Sequence, residues 1–468
     1  GDDAYVVVAV EGVDALDGAA PGHLDGDAQG LAGHGIGDVD DQQQGDGVHA
    51  LGLLDQDIHG QEALKGGRLY LTAICVRQLT FLRATYALRL LAKSFADISR
   101  RAHETFPWFK IYAMSSDRTR LTVLCALPPG MTPKEAAAAI TEDFDAVPLG
   151  DIVTRVRYHM SFLPITRERM TDISRLMGES VASLTYAKEQ DLPYVIFNQD
   201  MHERFLWHQR LEELAERAFA QQEFAVWYQP KYDLKTKELV GAEALVRWQS
   251  PELGLLTPGR FIDYFEHIGI AVRLDYYMLG HVARFLEDRL RRDLPVVPIS
   301  VNQSALHLSE GGYLQKMKEA AAAYHLPHGL IDLELTETAF IDFKAKEARA
   351  NARQIIDELT ASGYATSMDD FCTGYSSIAM LQSLPMDTMK IDRSILLAAE
   401  TDRRAAAILE SVIKLGNSLG MKVLTEGIET PEQEALLIRL GCTYGQGFLY
   451  AKPMPQEDFE RFLASHLS

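Results

Sequence analysis

At 468 residues and 47% hydrophobic content, the chain is long enough for two or three cored domains. Its formal charge of −20 is uneven: residues 1–60 hold twelve Asp and one Glu with no Lys or Arg, leaving 53 acidic against 46 basic residues elsewhere. The absence of a long basic patch excludes duplex nucleic acid as an expected partner, and no apolar run reaches the ~18 residues of a membrane helix.

The four cysteines, Cys75, Cys125, Cys372 and Cys442, form no CxxC pair. That usage, with no charged-then-apolar signal at the start, predicts free thiols in a reducing, cytoplasmic setting. Residues 1–65 are rich in Gly, Asp, Ala, Gln and His, as in Asp38-Val-Asp-Asp-Gln-Gln-Gln-Gly-Asp-Gly47. Such a stretch buries too little apolar surface to offset chain entropy, so it is expected to be disordered or an expression artefact. From Leu69 the pattern changes. Leu69 to Val76 reads as a strand, and Leu82 to Glu104 as a helix with Leu88, Leu91, Phe95 and Ile98 on one face. Phe109 to Met114 and Leu121 to Ala126 make a predicted hairpin around Ser115-Ser-Asp-Arg-Thr-Arg120. A helix over Pro133 to Phe144, a strand over Ile152 to Phe162 and a helix over Met170 to Lys188 follow. The order predicts an α/β sandwich over 66–200, and a charged helix over 201–222 is the expected connector.

Leu176-Met-Gly-Glu-Ser-Val-Ala-Ser-Leu-Thr-Tyr-Ala-Lys188, then Tyr194-Val-Ile-Phe197 and a helix through His208 to Leu214, resemble the end of a GGDEF (diguanylate cyclase) domain. The chemistry of that family is missing. Ser116-Asp-Arg-Thr-Arg120 stands at the hairpin tip where the family has glycines and acids, and Cys75 stands where it has a metal-binding Asp. The resemblance therefore implies a degenerate, non-catalytic domain with a regulatory or dimerising role, since nothing placed there holds magnesium.

Residues 223–466 alternate short apolar strands with helical stretches. Strands are expected over Phe224 to Tyr228, Leu239 to Val246, Val297 to Val301, Leu330 to Leu335, Tyr364 to Met368, Thr388 to Ile391 and Lys422 to Thr425. Helices are expected over Pro258 to Ile268, Val272 to Arg292, 313–325, 346–361, 402–419 and 431–440. So many βα units in this length predict a (β/α)8 barrel of the TIM type, in which chemistry gathers where the strands end. Those ends carry Glu243, Asn302, Glu334 and Glu337, Asp369 and Asp370, Lys390, and Glu426 with Glu429. Any one of them is explained by a cap or a solvated loop; so many on one rim are not. Crowded carboxylates repel, and divalent cations remove that penalty. An oxygen-rich set without a His or Cys cluster suits Mg²⁺ or Mn²⁺, and two such ions suit attack on a phosphodiester. Asp369 and Asp370 are read as following the strand, where a turning backbone aims both at one point. Lys390, flanked by Met389 and Ile391, is the cation expected to orient the attacking water.

Glu243-Ala-Leu-Val-Arg-Trp248 resembles the signature of the EAL family of cyclic di-GMP phosphodiesterases. So do Tyr228-Gln-Pro230, Val301-Asn-Gln-Ser304, Glu334-Leu-Thr-Glu337, Asp369-Asp-Phe371, Thr373-Gly-Tyr-Ser-Ser377, Lys390-Ile-Asp392, Glu426-Gly-Ile-Glu429 and Gln446-Gly447, in order across 223–466. The resemblance implies a modified TIM barrel with one antiparallel strand, hydrolysis of cyclic di-GMP to linear pGpG with two Mg²⁺ or Mn²⁺, and a homodimer through this domain. By position, Glu243, Asn302, Glu334 and Asp369 are similar to the ligands of one metal and Asp370 to a ligand of the second. Lys390 and Glu426 are similar to the groups that place the water, and Glu337 to the anchor of the loop after Asp370. Gln229, Leu245 and Arg247, with Gln446, are similar to the substrate contacts. Cys372 stands where the family has Gly, and a positive φ there would cost on the order of 1 kcal/mol. The rival reading is a receptor that binds cyclic di-GMP without cleaving it. A glycosidase using two carboxylates is a poorer fit, because it leaves most of the acidic groups unused.

Overall fold

The computed structural model describes residues 5–6, 68–76, 101–102, 104–115, 120–145, 157–166, 173–308, 312–336, 346–372, 381 and 384–467. The chain divides into two compact units, Gly1–Arg210 and Leu211–Ser468.

The first unit is built on strands β1 (Tyr5–Val6), β2 (Leu69–Val76), β3 (Phe109–Ser115), β4 (Arg120–Ala126), β5 (Tyr158–Pro164) and β6 (Tyr194–Ile196). They form one sheet in the order β1-β3-β4-β2-β5-β6, with only the β5–β6 pair parallel. Side chains alternate faces along β2. Ile74 joins Phe109, Phe144, Tyr158 and Phe162 on one side, with the helix Pro133–Asp145. Leu69 and Leu71 join Leu163 and Leu176 on the other, with the helix Ile173–Glu189. A sheet covered on both faces needs near-continuous apolar strands, and β5 is buried from Tyr158 to Leu163. The strand expected from Ile152 thus begins at Tyr158, with 151–156 outside the described residues. Most of the helix expected over 82–104, the hairpin tip 116–119 and most of 1–65 also lie outside them. The connector is a single helix, Gln199–Ala220, starting earlier than expected.

The second unit closes into a barrel. Its strands are β7 (Phe224–Asp233), β8 (Leu239–Ser250), β9 (Gly254–Leu256), β10 (Ile299–Gln303), β11 (Ile331–Thr336), β12 (Ala365–Phe371), β13 (Thr388–Ile391), β14 (Lys422–Thr425), β15 (Tyr444–Gly445) and β16 (Met454–Pro455). The ring runs β7-β15-β14-β13-β12-β11-β10-β8 and returns to β7. All neighbours are parallel except at β7, which is antiparallel to both β8 and β15. The modified TIM barrel with one antiparallel strand is therefore present. The closing strand β15 is only two residues long and lies where the chain has little room. A Cβ on Gly445 would come within 2.5 Å of the Ile428 and Leu234 side chains, and one on Gly447 would fall on the Ile428 backbone. Helices Ile270–Arg291, Tyr313–Tyr324, Lys346–Ala361, Arg403–Ser418 and Pro431–Leu440 lie where the apolar periodicity put them. Arg393–Thr401 and Gln456–His466 are further helices that the sequence reading missed.

Candidate active site

Because strand side chains alternate, every second residue of each barrel strand points inward. At the mouth this brings in Glu243 from β8, Asn302 from β10, Glu334 from β11, Asp369 from β12 and Lys390 from β13. Glu426 and Gln446 join them from just beyond β14 and β15. Lys390 is the centre and is 1% exposed. Its Nζ lies 2.7 Å from Glu334 Oε2, 3.0 Å from Asp369 Oδ1, 2.6 Å from Glu426 Oε1 and 3.8 Å from Glu243 Oε2. Burial opposes the charged ammonium, but the four carboxylates outweigh it and hold the lysine pKa well above its ordinary value. Glu243 is held from its other side: Asn302 Nδ2 donates to Oε1 at 3.0 Å and Gln446 Nε2 to Oε2 at 2.7 Å. Gln446 also donates to Gln229 Oε1 at 2.9 Å, which joins the two ends of the barrel domain at one point.

Asp369 and Asp370 do not follow the strand as expected; β12 continues through them to Phe371. Met368 pairs with Met389 and Phe371 with Ile391, so three steps on β12 face two on β13. That is a β-bulge, which re-aims side chains beside a site. Asp370 takes φ +54° and Cys372 φ +75°, both in the left-handed region. Within the bulge the Asp370 N–H donates to Asp369 Oδ1 at 2.9 Å, and the two carboxylates lie within electrostatic reach of each other. Burial, reinforced by Asp369, Asp392 and Glu334, raises the Asp370 pKa against the pull of Lys390. Cys372 thus has the positive φ that was expected to disfavour a side chain there.

One layer deeper lies a group that the sequence reading passed over. Lys231 Nζ, from β7, donates to Glu334 Oε1 at 2.7 Å and to Ser300 Oγ. Ser300 and Ser367 donate to Asp332 Oδ2 at 2.9 and 2.6 Å. The signal was available: Lys231, Ser300, Asp332 and Ser367 each sit two residues from Gln229, Asn302, Glu334 and Asp369, on the same strand face. Together the layers hold six carboxylates (Glu243, Asp332, Glu334, Asp369, Asp370, Glu426) against Lys231 and Lys390, a formal excess of four negative charges. The excess is uneven. Burial pushes Glu334 up, but its two lysines prevail and hold it at about 2. Burial raises Glu426 to about 8, with Lys390 opposing and Asp369, Glu243 and Glu334 reinforcing it.

A family model described as "EAL domain" matches residues 212–453. This chain belongs to the EAL domain family. MucR of Pseudomonas aeruginosa, named a bifunctional diguanylate cyclase/cyclic di-GMP phosphodiesterase, is 34% identical over 284 residues, 60% of this chain and 41% of MucR. RocR of the same organism, named a cyclic di-GMP phosphodiesterase, is 32% identical over 237 residues, 51% of this chain and 59% of RocR. The chain therefore spans about half the length of these relatives. Among solved structures, the MucR phosphodiesterase in complex with c-di-GMP is 34% identical with a TM-score of 0.50, covering 53% of this chain and 99% of that one. The EAL enzyme Bd1971 in its cAMP- and cyclic-di-GMP-bound form is 27% identical with a TM-score of 0.51, covering 66% and 81%.

Within the EAL domain, the expected residues separate into four groups. Glu243, Asn302, Glu334, Asp369, Lys390, Glu426, Gln229 and Gln446 converge through the contacts above. Leu245 and Arg247 continue the Glu243 face of β8, and Arg247 lies 5.3 Å from the Trp227 ring centre with Nη1 donating to Val246 O. Glu429 is a correction: it is exposed and pairs with Arg393 Nη2 at 2.9 Å instead of joining the ring. Glu337 lies outside the described residues, so its loop-anchoring role is untouched by the structure. The donor set suits hard cations, being all oxygen with four charges in excess, which two divalent ions would balance. Gln446 Oε1 is buried without a hydrogen-bond donor, as an atom reserved for a further partner would be. Among the described residues, no three acidic, His or Cys side chains are disposed to hold an ion as they stand. Lys390 takes the centre on which they close.

Proposed function

We propose that this chain hydrolyses cyclic di-GMP to linear pGpG with two Mg²⁺ or Mn²⁺ ions. The observation that carries the reading is the excess of carboxylates closed on Lys390 at the mouth of an EAL barrel whose relatives are named cyclic di-GMP phosphodiesterases. Glu243, Asn302, Glu334 and Asp369 would hold one ion and Asp370 the other. When bound, such ions acidify a water and steady the phosphate oxygens. Lys390 and Glu426 orient that water, and Lys390 offsets charge as it develops on the phosphate. Arg247 takes a substrate phosphate oxygen, while Gln229, Leu245 and Gln446 line the nucleotide's path. Glu337 anchors the loop that follows Asp370. The protein acts in the cytoplasm as a homodimer through the EAL domain; among the described residues no helix is long and apolar enough to cross a membrane.

The amino-terminal unit is read as a degenerate GGDEF-like domain with a regulatory role and no cyclase activity. Cys75 supports this, since it lies 4% exposed against Ala73 and Leu184 where a cyclase needs a metal-binding Asp. Purified protein incubated with Mn²⁺ and cyclic di-GMP should release pGpG, and chelator or Glu243→Ala should abolish it. Substrate that stays bound and intact would identify a receptor instead, and product formed from GTP would overturn the degenerate assignment.

A further inference from the structure

Glu334 gives each of its carboxylate oxygens to a different lysine. Oε2 faces Lys390 in the ring, and Oε1 faces Lys231 from below, each at 2.7 Å. The two ammonium groups differ in what surrounds them. Lys390 also meets Glu243, Asp369 and Glu426, so a cation drawn to those carboxylates competes with it directly. Lys231 meets none of them. It is 6% exposed and is fixed between Glu334 and Ser300. Behind it, Asp332 is held by Ser300 and Ser367. An ion entering from the mouth can therefore take Oε2 by displacing Lys390, while Oε1 stays with Lys231.

We propose that Lys231 fixes Glu334 as a one-oxygen metal ligand and so selects small octahedral cations, Mg²⁺ and Mn²⁺, against Ca²⁺. This rests on the reading that divalent ions bind at the mouth. The physical reason is bite: Ca²⁺ takes six to eight oxygens and readily accepts both oxygens of one carboxylate, whereas Mg²⁺ requires six at near-octahedral angles. A partner that occupies one oxygen removes the two-oxygen mode. Neither the charge count nor the ring alone would discriminate in this way.

The test titrates the full chain with Mg²⁺, Mn²⁺ and Ca²⁺ by calorimetry, comparing wild type, Lys231→Met and the charge-balanced Lys231→Met/Asp332→Asn. Metal-free thermal unfolding identifies which variants are folded, and the double variant removes the buried charge imbalance of the single one. Loss of an outer partner to a ligand typically costs about 10–100-fold in affinity. Mg²⁺ and Mn²⁺ should weaken by that order while Ca²⁺ binds as well or better, raising the Ca²⁺:Mg²⁺ affinity ratio about tenfold or more. Equal weakening of all three ions, or no change, in a folded variant overturns the proposal while leaving the phosphodiesterase reading intact. Wild-type chain that binds no divalent ion sinks that reading and this inference with it.

Discussion

The interiors of the two units are opposites. Under the amino-terminal sheet, Phe109, Phe144, Tyr158 and Phe162 belong to one apolar cluster, in which the Phe144 and Tyr158 rings meet edge to face with centroids 4.9 Å apart. At the mouth of the barrel, the equivalent inward positions hold Lys390, Glu334 and Asp369. The first interior gains stability by removing apolar surface from water. The second places charges in a low-dielectric setting, where desolvation opposes folding unless each has a partner. The lesson is that an apolar interior is complete in itself, whereas a charged one with excess carboxylate depends on what it binds.

The comparison is most sharply tested at its two centres. Lys390→Met should destabilise the metal-free protein by about 3–5 kcal/mol, because it leaves buried carboxylates unpaired. Added Mn²⁺ should recover much of that loss in thermal unfolding while hydrolysis stays down by about 10²–10⁴-fold. Phe162→Ala should cost about 3–5 kcal/mol as well, by opening a cavity, and there Mn²⁺ should restore none of it. Similar recovery by metal in both variants would dissolve the distinction.

Smaller effects refine it. Glu426→Gln removes one of the crowded carboxylates and should stabilise the metal-free protein by about 1 kcal/mol while pGpG release falls. A fall in both would show Glu426 to be part of the structural balance of the ring. Cys372→Gly should stabilise by up to about 1 kcal/mol, since glycine adopts φ +75° without steric cost but loses more chain entropy. A lower unfolding midpoint would show that the Cys372 side chain contributes more than its backbone strains.

Much of the barrel was legible because its signals are local. Strands β13 and β14 and the helices Lys346–Ala361 and Pro431–Leu440 have their expected limits. Each is announced by apolar periodicity and, in the last, by the Thr430 and Gln433 capping box. The closing strand β15 was not legible, since two residues, Tyr444–Gly445, carry no period. Glu429 looked like Glu426 in sequence, but the helix that begins at Arg393 presents it with an arginine outside the ring. Lys231 and Asp332 were missed for a different reason: each reads as an ordinary charged residue until cross-strand neighbours bury it.

What the sequence determined by itself was the repertoire at the strand ends, because alternation and residue type are properties of adjacent residues. Which of those groups meet was decided by the tertiary structure alone. Gln446 reaches Glu243 across 203 positions, Lys231 reaches Glu334 across 103, and one extra residue in β12 shifts its register against β13 beside Asp369 and Asp370. Register and barrel closure set those meetings, and both depend on contacts between strands that are remote along the chain.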